Sequence, residues 1–230
     1  MSQPASGSLH EQAIASLGAR IVGGEIAVGT VLTPERLGIS RTVLRECIRV
    51  LESLGLVQAR RRRGTVVLPE ASWQALDPRI LNWRLAGPDR LAALGDLSEL
   101  RLAVEPVAAR LASARATPAQ CGELTAAIIG MAATQRSADR DEYLAHDRDF
   151  HRVLLEASGN PLFAALSSAV AEALNGRTVH ALMPDTANPE AIRLHEEVAA
   201  AVRRGDAAAA EQAMRHIVEE ADSAVQRPAR

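Results

Sequence analysis

Lysine is absent from the chain. All 26 basic side chains among its 230 residues are arginine, so contacts to phosphate, base edge or carboxylate fall to a planar guanidinium rather than an ammonium. Cysteine is scarce: Cys47 and Cys121 are the only two, which excludes a disulfide framework and makes a reducing cytoplasm the expected location. Aromatic residues make up 2%. No apolar run approaches the roughly 18 residues of a membrane span, and the polar start, Met1 to Ser8, lacks the basic and apolar regions of a signal peptide. Against these absences stand an apolar share of 47% and a net charge of −2, too apolar and too neutral for a disordered chain. The abundant alanine favours helix, because it loses no side-chain entropy there.

The near-neutral total hides an asymmetry. Residues 1–70 carry nine Arg against six Glu, a net of +3, whereas residues 71–230 carry seventeen Arg against twenty-two acids, a net of −5. Five of the six His also lie in the second part. A small basic domain followed by a larger acidic one implies a polyanionic partner for the first alone.

In the first part, residues 9–22 place Ile14, Leu17, Ile21 and Val22 at helical spacing before Gly23-Gly24. After a polar turn, Ser40 caps a strongly periodic helix from Arg41 to Leu54. Leu44, Cys47, Ile48, Leu51 and Leu54 form its apolar face; Arg41, Arg45 and Arg49, joined by Thr42, form another. Leu56-Val57 and Thr65-Val66-Val67 read as short strands flanking Arg60-Arg61-Arg62-Arg63-Gly64, a hairpin with a basic tip. An Arg stripe alone is as often the solvated face of an amphipathic helix. Followed by a four-arginine hairpin, it points to DNA: the helix fits the major groove and Arg pairs with guanine, while the hairpin neutralises phosphates or enters the minor groove.

These stretches, Gly38-Ile39-Ser40-Arg41-Thr42-Val43-Leu44-Arg45-Glu46, Leu51-Glu52-Ser53-Leu54-Gly55-Leu56-Val57 and Arg63-Gly64-Thr65-Val66-Val67, resemble the winged helix-turn-helix domain of GntR-family bacterial repressors over residues 9–68. The resemblance implies operator contacts by Arg41, Thr42, Arg45 and Gly64; Arg49, Arg61, Arg62 and Arg63 join them on the basic face. One feature departs from the family. Where a full second helix is usual, only Thr33-Pro34-Glu35-Arg36 stands, which predicts a single turn and leaves Arg36 as the remaining candidate contact there.

Residues 69–89 hold both tryptophans, Trp73 and Trp83, and are expected to be a linker anchored by them. From residue 90 to 226 the chain reads as an all-α bundle, with helices expected over 90–114, 117–135, 139–158, 160–181, 188–204 and 206–225. Asp147 and His151 share a face at i, i+4. His195 and His216 fall ten and eleven residues either side of Gly205, on two antiparallel helices whose faces are otherwise apolar, so both are expected to point inward. One carboxylate and three imidazoles on inward faces suit a divalent metal, zinc foremost, with nickel or manganese also possible. His in a helical core is commonly structural, and a lone Asp-His pair says little; convergence of four groups is the stronger signal.

The pattern Arg101…Glu105-Pro106…Ala109-Arg110-Leu111-Ala112, Asp147-Arg148-Asp149-Phe150-His151, Ser158-Gly159-Asn160, His195 and Met214-Arg215-His216 resembles the FCD effector domain, which marks the FadR subfamily of GntR regulators. The resemblance implies that Asp147, His151, His195 and His216 hold the metal, which in turn binds a small organic acid. It also implies that Arg101 faces the effector, although an i+4 ion pair with Glu105 explains Arg101 equally well; Asn175 and Arg177 are further pocket candidates. The segment Trp73…Leu76-Asp77-Pro78…Ile80-Leu81-Asn82-Trp83 resembles regulators of sugar-acid catabolism. The expectation is therefore a homodimeric regulator, not an enzyme: a mainly α protein on a palindromic double-stranded operator, and by family habit a repressor released by a carboxylate such as a sugar acid. Two rivals are a sensor in which the ion itself is the signal and, less in keeping with a DNA-reading head, a metal-dependent hydrolase.

Overall fold

The computed structural model describes residues 9–137, 139–179 and 189–226, and the chain divides into two units, 1–90 and 91–230.

In the first unit, helix α1 (Leu9–Val22) packs on α3 (Arg41–Ser53) and on α4 (Pro78–Ala86). Between α1 and α3 lie strand β1 (Val31–Leu32) and the one-turn helix α2 (Pro34–Leu37). The short second helix is thus present as a single turn. Thr33 caps it by accepting from the Arg36 N–H, and Gly38, in the left-handed region at φ 67°, ends it while its own N–H donates to the Pro34 carbonyl at 2.8 Å. A side chain at residue 38 would strain that stop.

Strands β2 (Val57–Arg60) and β3 (Gly64–Val67) form the antiparallel wing, with Arg60 opposite Gly64. The sheet has a third member: β1 pairs with β3 through Val31–Val66 and Leu32–Thr65, giving the order β1-β3-β2. Two residues are too few for a period-2 pattern, so the sequence did not announce this strand. The core of the unit joins Leu17, Ile21, Leu44, Cys47, Leu51, Leu54, Leu56 and Val67 to Ile80 and Trp83.

Segment 69–89 is therefore more than a tether. Asp77 caps α4, and Ile80, Leu81, Trp83 and Leu85 are buried. Trp83 lies over Gly18 of α1 so closely that a Cβ there would come within 2.3 Å of the indole, so this seat requires glycine. Trp73 is half-buried and its Nε1–H donates to the Leu68 carbonyl at 3.3 Å.

The second unit is a helical bundle of α5 (Arg90–Arg115), α6 (Pro118–Ser137), α7 (Arg140–Ala157), α8 (Pro161–Ala164), α9 (Ser167–Val179), α10 (Pro189–Arg204) and α11 (Ala207–Gln226). Helix α7 packs on α6, α8 and α9, and α10 on α6 and α11. The expected single helix over 160–181 is two. Asn160 caps α8, with Pro161 at its first position, and the chain then tightens as the Leu166 N–H bonds the Phe163 carbonyl at 3.0 Å before α9 starts. The bundle core contains Leu124, Met131, Phe150, Leu154, Val198, Met214 and Val218. Among the described residues, no helix is long and apolar enough to cross a membrane.

Candidate functional site

Two places carry chemistry, one in each unit. In the first, the phase of α3 decides which residues are available. Leu44, Cys47 and Leu51 are buried, and Ser40 fixes the helix start by accepting from the Val43 N–H at 3.2 Å. With that face occupied, Arg41, Thr42, Arg45 and Arg49 are exposed. Glu46 sits between two of them: its carboxylate accepts from Arg45 Nε at 3.4 Å and from Arg49 Nη1 at 3.0 Å. The i,i+3 spacing carries the Arg49 pair, and Arg45 reaches the same carboxylate from the adjacent position. Arg36 is exposed on α2, with Nη1 donating to the Val31 carbonyl at 3.5 Å.

At the wing tip, Arg61, Arg62, Arg63 and Gly64 are exposed. Arg62 is held at φ 64°, and the turn closes with the Arg63 N–H on the Arg60 carbonyl at 3.1 Å. The wing is fastened to α3: the Glu52 carboxylate accepts from the Ala59 N–H at 2.7 Å. Helix and wing thus form one basic, solvent-facing element.

In the second unit the charges are inside. Asp147 and His151 on α7 and His195 on α10 are buried, and each offers a ligand atom within 4.8 Å of the others. Asp147 Oδ1 lies 3.2 Å from His195 Nε2 and 3.5 Å from His151 Nε2. Both rings are oriented from behind. His151 Nδ1 meets Glu105 Oε2 at 2.5 Å, and His195 Nδ1 meets the Ala191 carbonyl at 2.6 Å. An acceptor at each Nδ1 makes that nitrogen the donor and turns an Nε2 lone pair toward Asp147.

Two imidazole lone pairs and a carboxylate oxygen converging in a buried space repel one another unless a cation, or a second proton on a ring, stands between them. Asp147 Oδ1 and His195 Nε2 indeed make no hydrogen bond. Asp147, His151 and His195 could hold a divalent metal that removes this repulsion; without one, a proton shared with the rings does the same.

Glu105 was foreseen only as an ion-pair partner. It is fully buried, takes Arg101 Nε at 2.6 Å on one oxygen and His151 on the other. Burial pushes the Glu105 pKa up, but Arg101 and His151 outweigh it and bring it down to about 2. Burial likewise opposes the charge on Asp147, yet His151 and His195 hold its carboxyl well below the usual range. For His151 burial favours the neutral ring, and Glu105 and Asp147 outweigh it to raise the pKa.

His216 does not join this cluster. Helix α11 buries Ala210, Ala213, Met214, Ile217, Val218 and Ala221, an unbroken helical stripe. His216 lies one residue, or about 100° of rotation, off that stripe and is exposed. The expected inward His216 is corrected: Ile217 takes the inner face. The apolar phase of α11 was the signal that separates the two.

Arg101 is buried in its pair with Glu105, although its Nη2 lacks a partner. Asn175, half-buried on α9, accepts from Arg148 Nη1 at 3.5 Å. Arg177 belongs to α9, and its side chain lies outside the described residues.

Known proteins decide the family. The model for the FCD domain matches residues 96–220, and that for bacterial regulatory proteins of the gntR family matches residues 9–67. The chain belongs to the GntR family. This GntR-family chain is 31% identical over 209 residues to the galactonate operon transcriptional repressor of Escherichia coli (strain K12), covering 88% of this chain and 90% of that one. It is 30% identical to the HTH-type transcriptional repressor NanR of Enterobacter sp. (strain 638), covering 83% and 75%. Among solved structures, Streptococcus agalactiae GntR matches with a TM-score of 0.53 at 25% identity, over 94% of this chain and 99% of that one. Its relatives are DNA-binding transcriptional regulators, and this GntR-family member is a regulator rather than an enzyme.

Proposed function

We propose that the chain is a ligand-responsive repressor of a sugar-acid or related organic-acid catabolic operon. It acts as a homodimer on a palindromic operator and is released by a small carboxylate bound beside a divalent metal in the bundle. Two copies are required because one recognition helix reads too few bases for useful specificity. The galactonate repressor of E. coli, similar over nearly the whole chain, supports an aldonate as the effector class. Zinc is the first choice of metal for an Asp and two imidazoles, with nickel or manganese compatible with the same donors.

The observation that carries this reading is the pinned pair of imidazoles. Glu105 and the Ala191 carbonyl hold His151 and His195 so that both Nε2 atoms address one buried carboxylate oxygen. A metal there supplies a Lewis-acidic seat for an incoming carboxylate. The chain's own residues set its position and exclude bulk water. The effector then releases DNA only to the extent that it binds one pose of the reading heads better than the other.

The test is an operator-binding titration, using duplexes selected by the full-length protein from a random library. D-galactonate and other C4–C7 sugar acids are added with and without zinc. Release by acid together with zinc is expected. Release by zinc alone establishes the metal-sensor reading in its place, and no release by any combination sinks both.

A further inference from the structure

The arginine face of α3 carries an acid that attraction to phosphate alone does not explain. Helix α3 has two acidic residues among its thirteen, Glu46 and Glu52. Glu52 is accounted for: it accepts from the Ala59 N–H at 2.7 Å and fastens the wing. Glu46 lies four residues beyond Thr42, about one turn, and so shares its flank of the helix. Its carboxylate stands at the edge of the face that carries Arg41, Arg45 and Arg49, where it repels an approaching phosphate.

Its contacts engage only part of each guanidinium. Oε1 accepts from Arg45 Nε at 3.4 Å, and Arg49 Nη1 reaches both oxygens, at 3.2 and 3.0 Å. The side chains of Arg45 and Arg49 are still 69% and 67% exposed, against 35% for Glu46. A carboxylate that takes Nε leaves both Nη groups of Arg45 available, and two parallel N–H donors are what the O6 and N7 edge of guanine accepts. Arg49 keeps Nε and Nη2 in the same way. Exposed pairs of this kind add little to the stability of a helix, so their consequence lies in where they hold the guanidiniums. An unheld arginine on a DNA-facing helix takes the nearest phosphate, a contact that carries no sequence information. Glu46 opposes that excursion twice, by holding the side chains and by repelling the phosphate.

We propose that Glu46 is a positioning residue that determines specificity: it keeps Arg45 and Arg49 off the phosphates and presents their remaining donors to base edges, exchanging general DNA affinity for discrimination between sequences. This rests on α3 being the element that reads DNA. A sequence with guanine at the matching position draws the free donors into base contacts. A sequence without it leaves the guanidiniums on Glu46, and the complex bears the repulsion of the carboxylate with no base contact to offset it.

The experiment compares wild type with Glu46→Gln, Arg45→Ala and the double variant Arg45→Ala/Glu46→Gln, all full length. Affinities for an operator duplex, selected by wild type from a random library, and for a random duplex are measured by fluorescence anisotropy over a salt series. Glu46→Gln should bind random DNA more tightly than wild type, with a steeper dependence of log K on log salt. Its ratio of operator to random affinity should fall by at least about 5-fold, the lower end of what one guanidinium–guanine pair discriminates. A loss of structure moves random-DNA affinity the other way, and the urea midpoint of Glu46→Gln should stay at the wild-type value. In the Arg45→Ala background the same substitution should change the ratio less, because one of the two guanidiniums it positions is gone. Random-DNA affinity or an operator ratio that is unchanged in Glu46→Gln overturns the inference. So does an effect that persists undiminished without Arg45, which makes Glu46 a direct reader of a base. If Arg45→Ala itself keeps the wild-type ratio, α3 is not the reading element, and the reading beneath the inference falls with it.

Discussion

At its candidate site each unit places arginine in a different setting. In the first, Arg41, Arg45, Arg49, Arg61, Arg62 and Arg63 are exposed on a face opposite a complete apolar core. In the second, Arg101 is 2% exposed and locked to a Glu105 that is wholly buried. An exposed guanidinium costs the fold almost nothing, and even where it leans on a surface carboxylate, as Arg45 and Arg49 do on Glu46, it remains open to an incoming polyanion at little cost. A buried one holds its place only while every partner is present, because desolvation is offset by the pair and by nothing else. On the reading proposed above, the first unit would separate stability from function, whereas in the second the same side chains would carry both.

That contrast breaks most sharply at Glu105. Glu105→Ala leaves Arg101 buried without its partner and should cost about 3–5 kcal/mol, read as a lowered urea midpoint for the bundle. A cost below about 1 kcal/mol, the range of exposed pairs, would show the buried network to be no different from the surface. Acid offers a gentler probe. The Glu105 pKa is lowered in the fold from 4.5 to about 2, so its contribution is complete above pH 4.5 and is lost as pH falls toward 2. Stability of Glu105→Gln should fall less steeply across that window than wild type; parallel curves would remove Glu105 as a source of acid sensitivity.

Next in size is the recognition helix. Arg45→Ala should weaken specific operator binding by about 1–3 kcal/mol in a mobility-shift titration. Its unfolding curve should not move beyond about 0.5 kcal/mol, as for surface substitutions generally. Unchanged operator binding would sink α3 as the reading element, and a large loss of stability would erase the distinction between the units.

The same contrast explains what could be read from the sequence. On α3, spacing sufficed, because the apolar face and the arginine face are far apart in phase and the core takes one of them. The single turn of α2 was legible from its length between Leu32 and Gly38. In the bundle, Asp147, His151 and His195 fall on buried phases of α7 and α10, so the period found them. His216 was misplaced because symmetry about Gly205 gives height along a helix pair but not rotation; one residue of register separates an inward His from an outward one. Glu105 could not be assigned by spacing alone. Its i+4 relation to Arg101 is local, whereas its bond to His151 spans 46 residues and exists only after α5 and α7 have packed. The folding of 69–89 onto the first unit depends likewise on a long-range seat, Trp83 over Gly18.

Smaller effects belong to the wing. Arg63→Ala removes one exposed charge and should weaken binding about equally for operator and random DNA, lowering the salt slope of log K by about 1. A change confined to the operator would make Arg63 a base reader rather than a phosphate contact.

The smallest effect is at Arg62, where surface charge and backbone strain coincide. Arg62 stands at φ 64°, a left-handed conformation that costs a side-chain-bearing residue about 1–2 kcal/mol and glycine almost nothing. Arg62→Gly removes that strain but also frees the unfolded chain, which returns about 0.4–1 kcal/mol against the fold. The strain relief is the larger of the two, so the unfolding midpoint should rise or at least stay put while affinity for DNA of any sequence falls with the lost charge. Arg62→Ala keeps the strain and loses the charge, so it should match the glycine variant in DNA affinity and fall below it in stability. If instead the glycine variant binds DNA as wild type does, the guanidinium at the tip is idle and the strained turn has no function to explain it; if both variants lose binding equally, the wing bears its strain to hold a charge out toward the phosphates.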